Sequence, residues 1–290
     1  MTIAITGASG RLARIATGFV LERVPASELV LITRSPRELE HLTDQGVQVR
    51  YGSFDEPDSV TAGLAGVERM LLVSTMDVGR RIEQQRKAVD AAVAAGVGHV
   101  IYTGGQAPVP DNPAVATKEH AATEEAIRES GAAWTMLRMG LYAEFRVPQG
   151  AEAVASGRYF HNAGDGLTAY VSRIDCAAAA AGALANGGHE NVAYDVTGPE
   201  LLSQNDVAAL LSEVSGRPVE AVEVSDEERT EQFVAAGYAP AAAASAASWG
   251  KAIRAGVLAP LTTVVQDLSG RPPRSLRDVL EEHRAELLSG

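Results

Sequence analysis

The chain has 290 residues, 25 Lys and Arg against 37 Asp and Glu for a formal net charge of −12, and 46% hydrophobic and 21% charged residues. Such a chain can bury a core without disulfides or structural metal, and its acidity argues against nonspecific nucleic-acid or anionic-membrane binding while leaving room for a local basic pocket. The lone Cys176 cannot form an internal disulfide, no apolar run reaches the ~18 residues of a membrane span, and Met1 to Thr6 lacks a basic region and cleavage site, so a reduced cytoplasm is expected.

The first β-prone run is Thr2 to Thr6, stopped by Gly7-Ala8-Ser9-Gly10. Leu12, Ile15, Ala16, Phe19 and Val20 then recur at helical spacing. The alternation continues through a strand at Leu29 to Thr33, a helix at Pro36 to Gln45, a strand at Val47 to Tyr51 and a helix at Pro57 to Leu64. It persists with strand Met70 to Ser74, helix Arg80 to Ala95, strand His99 to Thr103, helix Thr117 to Ser130 and strand Ala133 to Leu137. Strands of this kind, several of them continuous apolar runs, predict a doubly wound parallel α/β sheet covered by helices on both faces. Beyond Gly140 the rhythm loosens into helices and short strand candidates at Ala169 to Val171, Val192 to Val196 and Val219 to Val224. The Ala239 to Ser248 stretch is a closely packed helix or a mobile segment, with helix favoured by Trp249, Ile253, Val257 and Leu258 behind it. Ser225 to Glu231 reads as a helix start with a solvated face.

Gly7 to Ala13 has the form G-x-x-G-x-x-A at the first strand-to-helix junction. Glycines there permit a sharp turn and close approach of a diphosphate, while the helix N-terminus supplies N–H donors. This predicts a Rossmann-like dinucleotide site. The second strand ends at Thr33-Arg34-Ser35-Pro36-Arg37, without the carboxylate that would accept from an adenosine ribose. Arg34 can instead pair with a 2′-phosphate, so NADP(H) is preferred over NAD(H); a solvated strand-end arginine is the alternative.

The opening ITGASGRLA, LITRSP, GSFDEPDSV, VERMLLVST with MDVGRR, ATKEHAATEEAIRESG, WTMLRMGLYAEF, AYVSRIDCA and YDVTGPELLS together resemble the NmrA-like, atypical short-chain dehydrogenase/reductase family. They are most similar to its bacterial type 2 NADPH:quinone oxidoreductase branch. The resemblance implies that Gly7, Ser9, Gly10, Arg11 and Leu12 hold the diphosphate and Arg34 the 2′-phosphate, with Met76 and Asp77 bordering the cleft. It places Met139, Gly140, Leu141 and Tyr142 beside the nicotinamide, and Tyr170, Val171, Ser172 and Arg173 along the far wall. Residues 1–140 then form the NADP-binding domain. Residues 141–290 form a smaller, mixed α/β region that mainly binds substrate and can return strands to the main sheet. A homodimer is in keeping with the family.

Two departures bear on the chemistry. Relatives often carry Asn where this chain has Met139, and the short-chain dehydrogenase Tyr-x-x-x-Lys pair is incomplete, because Ala114 stands four residues before Lys118. An alcohol or sugar substrate needs a proton carrier at its oxygen. A quinone is more electrophilic, and hydride addition gives a stabilised hydroquinone anion, so positioning can suffice. The expected reaction is therefore hydride transfer from NADPH to a quinone or related aromatic carbonyl compound. A redox-sensing NADP(H)-binding regulator without turnover, or a natural-product biosynthetic or ring-modifying reductase, are the alternatives. Lys118 is a candidate to orient the ribose or stabilise negative charge, and Tyr142 to donate to substrate; surface pairing of Lys118 with Glu119, Glu124 or Glu125, and simple packing of Tyr142, compete. Met76, Leu141, Phe145 and Trp249 are candidates for the substrate wall or the core. The six histidines lack metal-ligand spacing, which argues against a metal centre.

Overall fold

The computed structural model describes residues 1–77 and 79–289; Val78, within the MDVGRR segment, and Gly290 lie outside the described residues. In chain order, β1 (Ile3–Thr6), α1 (Arg11–Leu21), β2 (Leu29–Thr33), β3 (Gln48–Tyr51), α2 (Pro57–Gly63), β4 (Arg69–Val73), α3 (Arg81–Ala94), β5 (His99–Gly105), α4 (Val115–Glu129) and β6 (Ala133–Met139) build a wound sheet. The predicted helix at Pro36 to Gln45 is 3-10 rather than α. Downstream lie α5 (Arg146–Ser156), β7 (Arg158–His161), α6 (Arg173–Ala185), β8 (Val192–Val196), α7 (Gln204–Ser215), β9 (Glu220–Glu223), α8 (Asp226–Ala235), α9 (Pro240–Arg254), α10 (Val264–Ser269), α11 (Leu276–Glu282) and α12 (Arg284–Leu288).

The sheet has seven parallel strands in the order β3-β2-β1-β4-β5-β6-β8. Thus β8 returns from the second half of the chain to pair with β6. Strand side chains alternate between faces. Ile3, Ile5, Leu29 and Leu71 pack with α1, α6 and α10, while Ala4, Val30, Met70 and Val100 pack with α2, α3 and α4. A third cluster joins α5, α7, α9 and α11 around Val147, Leu211, Ile253 and Leu280. The two-stranded β7-β9 ribbon is parallel and separate from the main sheet.

Two further features differ from the expectation from sequence. Ala169 to Val171 is not a strand; Thr168 and Val171 make only isolated bridges, to Leu202 and Tyr142. The strand β7 escaped the reading, since its four residues alternate weakly among turns. The alanine-rich stretch is helix α9, entered through Pro240. Ser225 begins α8 with a capping box closed by Glu228.

Candidate active site at the carboxyl ends of the strands

The turn after β1 is held by its own backbone. Gly7 adopts φ +60°, the left-handed region, and its carbonyl accepts from the Gly10 N–H at 2.8 Å. A Cβ on Gly10 would stand 3.1 Å from the Gly7 carbonyl oxygen, so a side chain would crowd the turn. Helix α1 begins at once, with no side-chain cap and no acidic residue in its first turn. Its first N–H groups, those of Arg11 and Leu12 among them, therefore lack intrahelical acceptors and favour an anion. The Arg11 side chain is exposed, whereas that of Leu12 is packed into the core, so Leu12 can serve a diphosphate only through its backbone.

A cavity of about 300 Å3 opens in front of this turn. Gly7, Ser9 and Gly10 line it on one side, Arg34 beyond β2, Gly52 and Phe54 beyond β3, and Thr75, Met76 and Asp77 beyond β4. Its size is at the lower end of the roughly 300–1,000 Å3 typical of small-ligand sites. Ligands of open parallel sheets bind at these strand ends. Thr33 donates from Oγ1 to Ser9 Oγ at 3.0 Å and accepts from the Ser35 N–H, which ties the glycine turn to the β2 end. Arg34 is exposed and enters none of the ion pairs among the described residues; the carboxylate of Asp55, also in the lining, is taken by Arg80 at 2.7 Å. Thr75 Oγ1 is buried without a partner in the same lining. Free cationic reach, exposed helix donors and an orphaned hydroxyl suit the phosphates and ribose of a dinucleotide.

The segment after β4 is anchored to α4. Arg81 pairs with Glu119 at 2.8 Å in a buried contact and donates to the Thr75 carbonyl, and the Gly79 N–H donates to Glu119. Glu124 is buried under Arg128 and Arg138. With those carboxylates engaged, Lys118 is exposed on the first turn of α4 and enters none of the ion pairs among the described residues. It lines neither this cavity nor a smaller one around Leu141 and Trp249. His120, two residues further on, is structural: burial pushes its pKa down to about 3, and its ring bonds Tyr102 through Nδ1 at 2.7 Å.

Past β6 the chain turns under the sheet edge. Met139 is buried, and its sulfur accepts from the Tyr142 hydroxyl at 3.3 Å. Gly140 donates to Val196, and Leu141 is almost fully covered. The Tyr142 ring packs at a tilt against Phe145, which is 41% exposed, and lies under the Arg173 guanidinium at 5.2 Å. Burial pushes its phenol pKa well up, so Tyr142 stays protonated at neutral pH. Tyr170, Val171 and Ser172 are buried: Val171 bridges backbone to Leu141 and Ala143, and Ser172 caps α6 by accepting from the Asp175 N–H. Leu141 and Trp249 meet around a second, smaller cavity, whereas Met76, 76% exposed, belongs to the first.

One residue near this segment was not read from the sequence. Gln106 follows β5, is 1% exposed, and leaves both amide atoms without a partner. Its Oε1 would be 3.4 Å from a Cβ on Gly140. The next residue, Ala107, is held at φ 47°, a left-handed conformation that non-glycine residues adopt rarely. The only sequence signal was its place just after the glycines that end β5.

Among the described residues no group of three His, Cys, Asp or Glu side chains could hold a metal ion, and no helix is long and apolar enough to cross a membrane. The family model described as NmrA-like family matches residues 1–256. Quinone oxidoreductase 2 of Escherichia coli (strain K12) is 37% identical over 217 residues, covering 75% of this chain and 76% of its own. The crystal structure of the Escherichia coli NADPH-dependent quinone oxidoreductase complexed with NADPH matches with a TM-score of 0.93 at 32% identity, covering 97% of this chain and 99% of that one. The Citrobacter sp. triphenylmethane reductase complexed with NADP(H) matches with a TM-score of 0.88 at 34% identity, covering 98% of this chain and all (100%) of that one.

Proposed function

The chain belongs to the NmrA-like family, and on that premise we propose that it is an NADPH-dependent reductase delivering hydride to a quinone or a related conjugated aromatic acceptor. The observation that carries this reading is the cavity at the Gly7 to Gly10 turn with Arg34, rather than a carboxylate, at the end of β2. The similar reductases act, by their names, on quinones and triphenylmethane dyes, and the two matched structures hold NADPH or NADP(H).

NADPH, when bound, supplies the hydride. The backbone of the glycine turn and of the α1 start would bind the diphosphate, and the Arg34 guanidinium the 2′-phosphate. Gln106, with two unused hydrogen-bonding atoms beside Gly140, would orient the nicotinamide end through its carboxamide. Tyr142 and Lys118 remain candidates to donate to the acceptor oxygen as charge develops there. No dedicated acid is required, because a hydroquinone anion takes its proton from water.

Stopped-flow oxidation of NADPH and NADH against quinones, triphenylmethane dyes and aromatic ketones tests the reading. NADPH is expected to be the preferred donor, and Arg34→Ala to raise its KM roughly tenfold while leaving that for NADH nearly unchanged. Equal use of both coenzymes by the wild type, or no turnover with any acceptor, would overturn it.

A further inference from the structure

The second cavity, about 40 Å3, has space for about three water-sized groups, too little for a ring but enough for a small oxyanion. No carboxylate is in its lining, yet two arginines are. Arg146, at the start of α5, donates from Nη1 to the Tyr159 hydroxyl at 2.9 Å and lies over the face of Tyr170 at 5.3 Å. Its Nε–H is buried with no partner. Arg229, on α8, rests on the Phe233 ring at 4.3 Å and donates to Gln232. The carboxylate whose charge Arg229 feels is that of Glu152, exposed on α5 and outside the lining. Gln149, one turn after Arg146, has an orphaned amide oxygen, and rotating that amide presents its NH2 instead.

Two guanidiniums share a small, partly buried space with no carboxylate, and Arg146 makes the proton on Arg229 harder to hold, after burial itself. Charges placed this way are costly unless an anion completes them. The place of the cavity says which molecule would bring it. Leu141 lines it and is the residue after Gly140, and successive Cα atoms are about 3.8 Å apart, so its wall and the Met139–Gly140 segment are within the span of one aromatic ring. Trp249 is in the same lining.

We propose that this cavity is an anion subsite of the acceptor: a carboxylate, sulfonate or phosphate group docks between Arg146 and Arg229 while the conjugated ring stays outside it, toward the Met139–Gly140 segment. The inference rests on the cleft being a hydride-acceptor site, and it narrows the acceptors to acidic ones. Arginine suits the task, because its planar fork can pair with two oxygens of one oxyanion.

Calorimetric titration with naphthalene-2-sulfonate and its neutral analogue naphthalene-2-sulfonamide, with and without NADP+, tests the subsite without turnover. The sulfonate is expected to bind roughly tenfold more tightly than the sulfonamide, and Arg229→Gln and Arg146→Gln, each checked for folding by circular dichroism, are expected to erase that preference. Equal affinities in the wild type, no binding of either probe, or a preference that survives in either folded variant would overturn the proposal. A sulfonate preference in a protein that neither binds nor oxidises NADPH would keep the subsite and discard the reductase reading. NADPH-dependent turnover without that preference would do the reverse.

Discussion

Gln106 and Arg34 owe their places to the same geometry, the carboxyl ends of parallel strands, but they were unequally legible. Arg34 stands directly after an apolar strand, where its charge has an obvious use. Gln106 is one polar residue in a loop, and its interest lies in partners it does not have, which a sequence cannot reveal. Because both amide atoms are unpaired in a buried place, Gln106→Met is expected to leave stability unchanged or raise it by about 1 kcal/mol, while slowing hydride transfer roughly tenfold. Chemical denaturation and single-turnover kinetics on the same variant would separate the two effects. A destabilised protein with a normal transfer rate would show the residue to be packing only. Lys118 was found by its offset from Ala114, and the structure leaves it exposed beside carboxylates already engaged by arginines.

Among the elements, α6 shows how composition becomes architecture. Its Cys176 to Leu184 stretch is almost entirely small residues and almost entirely buried, because it is pressed between the sheet, α1 and α10. The Cys176 thiol belongs to this packing, and burial holds its pKa well above the usual thiol value, which leaves it inert. At Gly182 a Cβ would stand 1.9 Å from the Leu268 carbonyl oxygen, so no side chain fits without parting α6 from α10. Gly182→Val is expected to destabilise the protein by about 3 kcal/mol. Urea unfolding would measure it, and an unchanged midpoint would contradict the described contact between the helices. The alanines of α9 were equally visible, but their rival reading as a mobile segment was settled only by Ala243 and Ala247 packing beneath α8 and Phe233.

The whole molecule folds around two neutral imidazoles, and its pH response follows. Burial, then the nearby Arg69 guanidinium, pushes His99 down to about 4, while burial and Arg81 push His120 to about 3. Both are lower than the 6.5 of an unconstrained histidine, so the unfolded chain binds more protons between those values. Their contribution is complete above pH 6.5 and is lost as the pH falls through that value toward 4 and 3. Each is expected to remove about 1.4 kcal/mol between pH 7.5 and 5.5. Denaturation at the two pH values should show the loss, and His120→Gln, which can keep a bond to Tyr102, should shrink it by that residue's share of about 1.4 kcal/mol. A histidine variant with the wild-type slope would sink this account. The sequence by itself determined the strand-helix alternation, the glycine turn and the Arg34 position, because those depend on local spacing and backbone freedom. Only the tertiary structure decided that β8 joins β6, that the Gln106 amide is unpaired, and that Arg146 on α5 and Arg229 on α8 share a space without a carboxylate. Such contacts come from the packing of distant elements, and no local pattern of residues encodes them.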